Sequence, residues 1–231
     1  MKRFSKFLLG LLLVPACVAA TRAVLKLILA LRPLEGFSAA AWGFVGGFGF
    51  FVLLYLLLPA PMKTYVLAHE LTHALWGLAM GARVVRPMKV SDKGGSVTLT
   101  KSNVLITLAP YFFPLYTVLL LIVYLACAHF FDLHAYRPVW YALLGLTWAF
   151  HLVFTLHALR QRQPDILEHG RIFSWTLIYL INMLTLGIWI CVLASPTLAD
   201  FGQRLWSELR WVLEEYSALL NVIRHGLQVL L

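Results

Sequence analysis

The chain has 231 residues, of which 61% are hydrophobic, with a mean hydropathy of +0.82 and a formal net charge of +9. This composition excludes an ordinary soluble domain and predicts a multi-pass integral membrane protein, which we place in a bacterial cytoplasmic membrane. The basic residues flank apolar runs without forming a continuous stripe, so we expect membrane lipids, and not nucleic acid, as the partner of this charge.

The first apolar segment follows a basic start, Met1–Lys6, and continues to Leu31. A secretory signal is one interpretation, but the length favours an uncleaved first helix. Arg22 and Lys26 lie one turn apart on one face of this helix, so they must either snorkel to the membrane surface or face the protein.

A second span is predicted from Ser38 to Pro59, which is long enough to cross a bilayer of about 30 Å. Gly43 and Gly47 form a G-x-x-x-G pair within it, which is typical of close helix packing. We expect the neighbour to be the following helix, although a glycine-rich span without a special neighbour is an open alternative.

That following helix runs from Lys63 to Met80 and should end at Gly81. It contains His69-Glu70-Leu-Thr-His73, the H-E-x-x-H pattern, in apolar surroundings. The two imidazoles leave one face a turn apart and can hold one zinc ion, while Glu70 can take a proton from a water molecule that zinc activates. A polar cluster that bonds to neighbouring helices is the alternative interpretation.

A basic segment follows, in which Lys89–Ser91 and Ser96–Thr100 flank the turn Asp92-Lys-Gly-Gly95. This pattern predicts a two-stranded hairpin that leans on the membrane domain or on headgroups. Its free edge could accept an extended substrate segment, and a basic lipid-facing loop is the alternative.

Three further spans are predicted at Val104–His129, Val139–Leu159 and Ile172–Leu193, the first with Pro110 and Pro114 inside the helix. From Pro196 onward, apolar residues recur at helical spacing opposite charged ones. We predict an amphipathic helix there, docked on the membrane surface by preference or on the protein. The expected domains are therefore 1–195, embedded in the membrane, and 196–231, a surface helix.

Together these elements predict an all-α polytopic membrane protein. It would have about five transmembrane helices, a partly inserted H-E-x-x-H helix, a small β-hairpin and a C-terminal amphipathic helix. The distribution of basic residues places the N-terminus, the hairpin and the loop Arg160–Arg171 on the cytoplasmic side.

A zinc site with two histidines needs a third protein ligand and an open position for water. No third histidine follows at the next helical turns, so the ligand must come from far along the chain. We favour Asp165, with Pro164 starting its helix, and keep His157 as the reserve candidate. The other candidates are His151, Glu168 and His169.

With its histidine motif in an apolar helix, a basic hairpin and a late aspartate, the chain resembles the site-2 protease family of intramembrane zinc metalloproteases. In that family an aspartate followed by glycine, often after asparagine-proline, completes the zinc site. Here proline precedes Asp165 but Ile166 follows it. The resemblance covers about 63–195 and implies zinc on His69, His73 and Asp165. We do not expect the soluble peptide-binding domain that many members of the family carry.

The resemblance and the residues together imply hydrolysis of peptide bonds in transmembrane or membrane-associated protein substrates, with Glu70 as the catalytic base. Two other functions stay open. The chain could be a zinc-binding membrane scaffold without peptidase activity, or a cation transporter that uses its intramembrane histidines and Glu70.

Overall fold

A computed structural model of the chain describes residues 3–31, 38–194 and 196–230. In chain order its helices and strands are α1 Arg3–Ala30, α2 Ala39–Leu57, α3 Met62–Ala79, β1 Val84–Ser91, β2 Gly94–Leu99, α4 Val104–Leu108, α5 Leu115–Phe130, α6 Arg137–Leu159, α7 Pro164–His169, α8 Arg171–Leu193 and α9 Leu198–Leu230. The fold is predominantly α-helical with one hairpin, which agrees with the predicted class.

Four of the described helices, α1, α2, α6 and α8, are long and apolar enough to cross a membrane. The predicted span Val104–His129 is not one helix. Its two parts, Val104–Tyr111 and Leu115–Phe130, are bent by 82° and count as a fifth span only if the broken pair crosses together. Pro110 and Pro114 explain the break, because proline removes a backbone donor and its ring clashes with the preceding turn.

The described residues form two compact units, and the first of them combines the N-terminal helix with the chain from residue 170 onward. In the first unit, α1 packs along α8 and α9 around a small apolar core formed by Ala23, Val24, Leu27, Ile190 and Phe201. The first half of α9 therefore lies on the protein, which is one of the two predicted positions of this helix. Beyond Val212 the described side chains of α9 are exposed.

A buried carboxylate connects α9 to α1. Glu208 pairs with both Arg22 and Lys26, and the Arg22 guanidinium also lies 3.7 Å from the ring centre of Trp211. Of the two interpretations of these cations, the structure therefore shows the one in which they face the protein.

The second unit comprises α2 to α7, and α2 packs lengthwise against α6. A methyl group at Gly47 would meet the backbone of Ala142, and one at Gly43 would meet that of Pro138. The expectation that these glycines approach the histidine helix is therefore wrong. They approach α6, which also carries a glycine at the contact: Gly145 lies against the backbone of Phe44 on α2.

The hairpin is confirmed, with a longer first strand and a tighter turn than predicted. Antiparallel pairing runs from Val84 opposite Leu99 to Ser91 opposite Gly94, so Asp92 and Lys93 alone form the turn. The hairpin lies on α3. A methyl group at Gly95 would come within 2.7 Å of the Glu70 Cγ atom, so glycine permits this close approach.

Candidate metal centre

Helix α3 carries the histidine pair and ends where the sequence predicts. Its C-terminal cap is Met80, and Gly81 leaves the helix with a positive φ of 75°. His69 and His73 are partly buried, and their Nε2 atoms lie 3.2 Å apart. The spacing of four residues therefore brings two potential ligand atoms to one point.

Asp165 completes the group from a short helix, α7, that begins at Pro164 as predicted. Its Oδ2 atom lies 3.2 Å from Nε2 of His69 and 3.4 Å from Nε2 of His73. Ligand atoms about 2.0–2.1 Å from a tetrahedral zinc ion lie about 3.3–3.4 Å from one another. The three atoms therefore have the separation that one face of a zinc coordination tetrahedron requires.

The other candidates for a third ligand are not part of this group of three. His157 is engaged at both ring nitrogens, with Tyr55 Oη at 3.1 Å from Nδ1 and the Gln161 amide nitrogen at 2.8 Å from Nε2. In the part of the chain that the structure describes, the group of ligand atoms close enough to share a metal is His69, His73 and Asp165. His151, Glu168 and His169 are outside it.

Groups around the ligands fix their orientation. The Nδ1–H of His73 donates to the carbonyl oxygen of Ile106 at 2.8 Å, which leaves the Nε2 lone pair for a metal. The hydroxyl of Tyr111 donates to Oδ2 of Asp165 at 3.0 Å, and Tyr65 Oη lies 3.4 Å from Nδ1 of His69. Sequence analysis missed Tyr111. The proline-flanked bend around it was the one available signal.

The carboxylates of the site differ in their proton affinity. Burial by itself raises the pKa of Asp165, but in the absence of a metal ion the polar contacts of this carboxylate with His69 and His73 outweigh burial and hold its pKa well below the usual range. Asp165 is therefore ionised, as a metal ligand must be. For Glu70 the balance is opposite: burial raises its pKa above the usual value, against the opposing charges of the two imidazoles.

Glu70 lies where two clefts meet. One cleft, of about 340 Å³, runs between β2 and α7 past the three potential ligands. The other, of about 400 Å³, lies between the hairpin turn and the segment 161–163. His69, Glu70, Gly95 and Gln163 line both. An extended chain lying through both clefts would therefore pass the carboxylate and the potential metal ligands.

Comparison with protein-family models, curated proteins and solved structures finds no match to this chain in any of the three. The geometry of the site and the resemblance of its motif are therefore the basis for a function.

Proposed function

We propose that this chain is an intramembrane zinc metallopeptidase that cleaves transmembrane or membrane-associated proteins. The observation that carries the proposal is the triangle of His69, His73 and Asp165 ligand atoms, with separations of 3.2–3.4 Å, beside the buried carboxylate of Glu70. Four of the described helices are long and apolar enough to cross a membrane, which supports the membrane setting that such a substrate requires.

His69, His73 and Asp165 would hold the zinc ion. A bound zinc ion supplies Lewis-acid activation of a water molecule and of the scissile carbonyl. Glu70 would take a proton from the attacking water and deliver it to the nitrogen of the leaving amine, so that each product carries a complete terminus.

The hairpin would position the substrate. In the described structure β2 pairs with β1 on one side, while Ser96, Val97 and Leu99 line the cleft beside the ligands. A locally unwound substrate segment could pair with β2 as an added strand, which would present its backbone carbonyls to the site at regular intervals. Transmembrane helices must unwind in this way before a peptide bond is accessible to water.

The test is a comparison of membrane proteomes between cells that carry the parent protein and cells that carry Glu70→Gln. This change keeps the size of the side chain but removes its ability to take a proton. Glu215→Gln, an exposed glutamate on α9, is the matched control.

We expect the Glu70→Gln protein to accumulate and bind zinc normally while at least one membrane protein stays uncut. The control should process that protein as the parent does. A Glu70→Gln proteome identical to that of the parent would contradict the peptidase and favour a zinc-binding scaffold.

A further inference from the structure

We infer that the hydroxyl of Tyr111 holds Asp165 in the orientation of a metal ligand and thereby sets the affinity of the site for zinc. This inference rests on the proposed zinc site and adds a positioning residue to it. Neither the H-E-x-x-H motif nor the position of the aspartate after proline identifies this tyrosine.

One side chain contacts two of the three proposed ligands. The hydroxyl donates to Oδ2 of Asp165 at 3.0 Å, and this is the oxygen that faces both histidines. The tyrosine ring meets the ring of His69 edge to face, with centroids 5.3 Å apart and planes at 84°. Tyr111 therefore restricts the carboxylate through its hydroxyl and the imidazole through its ring.

Asp165 needs such an anchor because its own helix restrains it weakly. Helix α7 has six residues and the Asp165 side chain is 23% exposed. A carboxylate on so short a helix can rotate away from the histidines unless another group holds it.

The backbone of Tyr111 is fixed by the bend in the chain. It belongs to a 3₁₀ turn, Ala109–Tyr111, that follows α4, and its side chain is almost fully buried. Its carbonyl accepts a hydrogen bond from Thr155 on α6 at 3.4 Å. The same broken segment supplies the Ile106 carbonyl that orients His73. The segment around the proline break thus supplies one hydrogen-bonding group to each of two proposed ligands, His73 and Asp165.

The position of Tyr111 indicates that it orients Asp165 and does not act on the substrate. It is 1% exposed and is not among the residues that line either cleft at the described site. A substrate in the clefts would not touch it. Its hydroxyl is directed to Asp165, so its effect on the site passes through that carboxylate.

The experiment measures zinc affinity of the full-length protein in detergent by competition with a chromophoric chelator. Tyr111→Phe removes one oxygen and keeps the ring that packs on His69. Loss of a group that orients a metal ligand typically lowers affinity about 10–100-fold, and we expect that loss here. The melting temperature of the metal-free protein should fall by no more than the few degrees that the loss of one buried hydrogen bond costs.

Tyr116→Phe is the matched control, because its hydroxyl bonds to the Thr64 carbonyl on α3 at 2.9 Å, away from the ligands. It should bind zinc as the parent does. In an Asp165→Ala background, Tyr111→Phe should cause no further loss, since its effect requires the carboxylate.

The outcomes separate the two proposals. A parent protein that binds no zinc contradicts the proposed function and this inference together. A parent that binds zinc, with a Tyr111→Phe variant of equal affinity, overturns the inference alone. An equal loss in both backgrounds also overturns it, because the tyrosine would then act on stability and not through Asp165.

Discussion

Nε2 of His69 lies 3.2 Å from Oδ2 of Asp165, although the two residues are 96 positions apart in the chain. Helix α3 supplies the first and the short helix α7 supplies the second. The hairpin between them covers Glu70, and the broken helix after it supplies the contacts to His73 and Asp165. Of the elements between them, β2, α4 and the 3₁₀ turn after α4 thus contribute residues directly to the site.

Gly95→Ala should impair cleavage while leaving zinc bound. The added methyl would lie 2.7 Å from Cγ of Glu70 and from the Lys89 carbonyl oxygen, so the hairpin or the glutamate must shift. A displaced catalytic base should slow turnover by at least about tenfold. The measurement is cleavage of a substrate identified by the Glu70→Gln comparison, together with zinc content.

Gly202→Ala, where a methyl meets nothing within 4 Å, is the control for that change. Unimpaired cleavage by the Gly95→Ala protein would show that the close contact of the hairpin with Glu70 has no role in turnover.

Gly47→Ala should destabilise the packing of α2 on α6. Its methyl would overlap the Ala142 backbone, and overpacking of this kind costs about 1–3 kcal/mol. At about 2–4 °C per kcal/mol, the melting temperature in detergent should fall by several degrees. Gly49→Ala, on the same helix with open space around it, should leave the melting temperature unchanged or raise it. Equal behaviour of the two variants would contradict the observed packing.

The Glu208 pairing predicts an acid-sensitive stability of the unit formed by α1, α8 and α9. Burial by itself raises the pKa of Glu208, but hydrogen bonds from Lys26 and Arg22 outweigh it and lower this pKa below the usual value. The folded state therefore releases the proton more readily than the unfolded state. The stabilisation is complete above the unfolded pKa of about 4.3 and is lost as the pH falls through the folded pKa.

Glu208→Gln should lower the melting temperature at neutral pH. On acidification, the melting temperature of this variant should decrease less than that of the parent. Because Arg22 and Lys26 are 36% and 52% exposed, solvent screens the pair, and we expect about 1 kcal/mol, or roughly 2–4 °C. Glu215→Gln, which is exposed on the same helix, should keep the pH dependence of the parent. Identical pH profiles for the parent and Glu208→Gln would refute the role of this pair.

The hairpin and the segment before α7 should be on one side of the membrane, which we predict to be the cytoplasmic side. Ser96 and Gln163 line the same cleft. After replacement of the three native cysteines, Ser96→Cys and Gln163→Cys should resist membrane-impermeant thiol reagents in intact cells. Asp132→Cys, before the opposite end of α6, should react from outside. Labelling of Ser96→Cys or Gln163→Cys from outside would overturn this orientation.

Local features of the sequence predicted the parts of the site that depend on local geometry. The spacing of His69 and His73 determined their shared face, Gly81 ended the helix, and Pro164 started the one that carries Asp165. The glycines after Asp92 indicated the hairpin. These features depend on backbone preferences of a few neighbouring residues, which are visible without the fold.

The contacts between distant elements were not predictable in the same way. The sequence predicts the wrong neighbour for Gly47. Glycines in a span indicate that another helix packs closely, but α3 and α6 are both apolar, so the pattern does not distinguish between them. The role of Tyr111 depends on an 82° break whose direction two prolines do not determine. That direction is set by packing against α3 and α6, which only the folded chain shows.

The most direct test of the central claim is the zinc content of purified Asp165→Ala and His157→Ala proteins beside the parent. We predict about one zinc ion per chain in the parent and in His157→Ala, and a large loss in Asp165→Ala, because Asp165 alone of the two has a ligand atom next to both histidines. Undiminished zinc in Asp165→Ala with loss in His157→Ala would contradict the proposed metal centre.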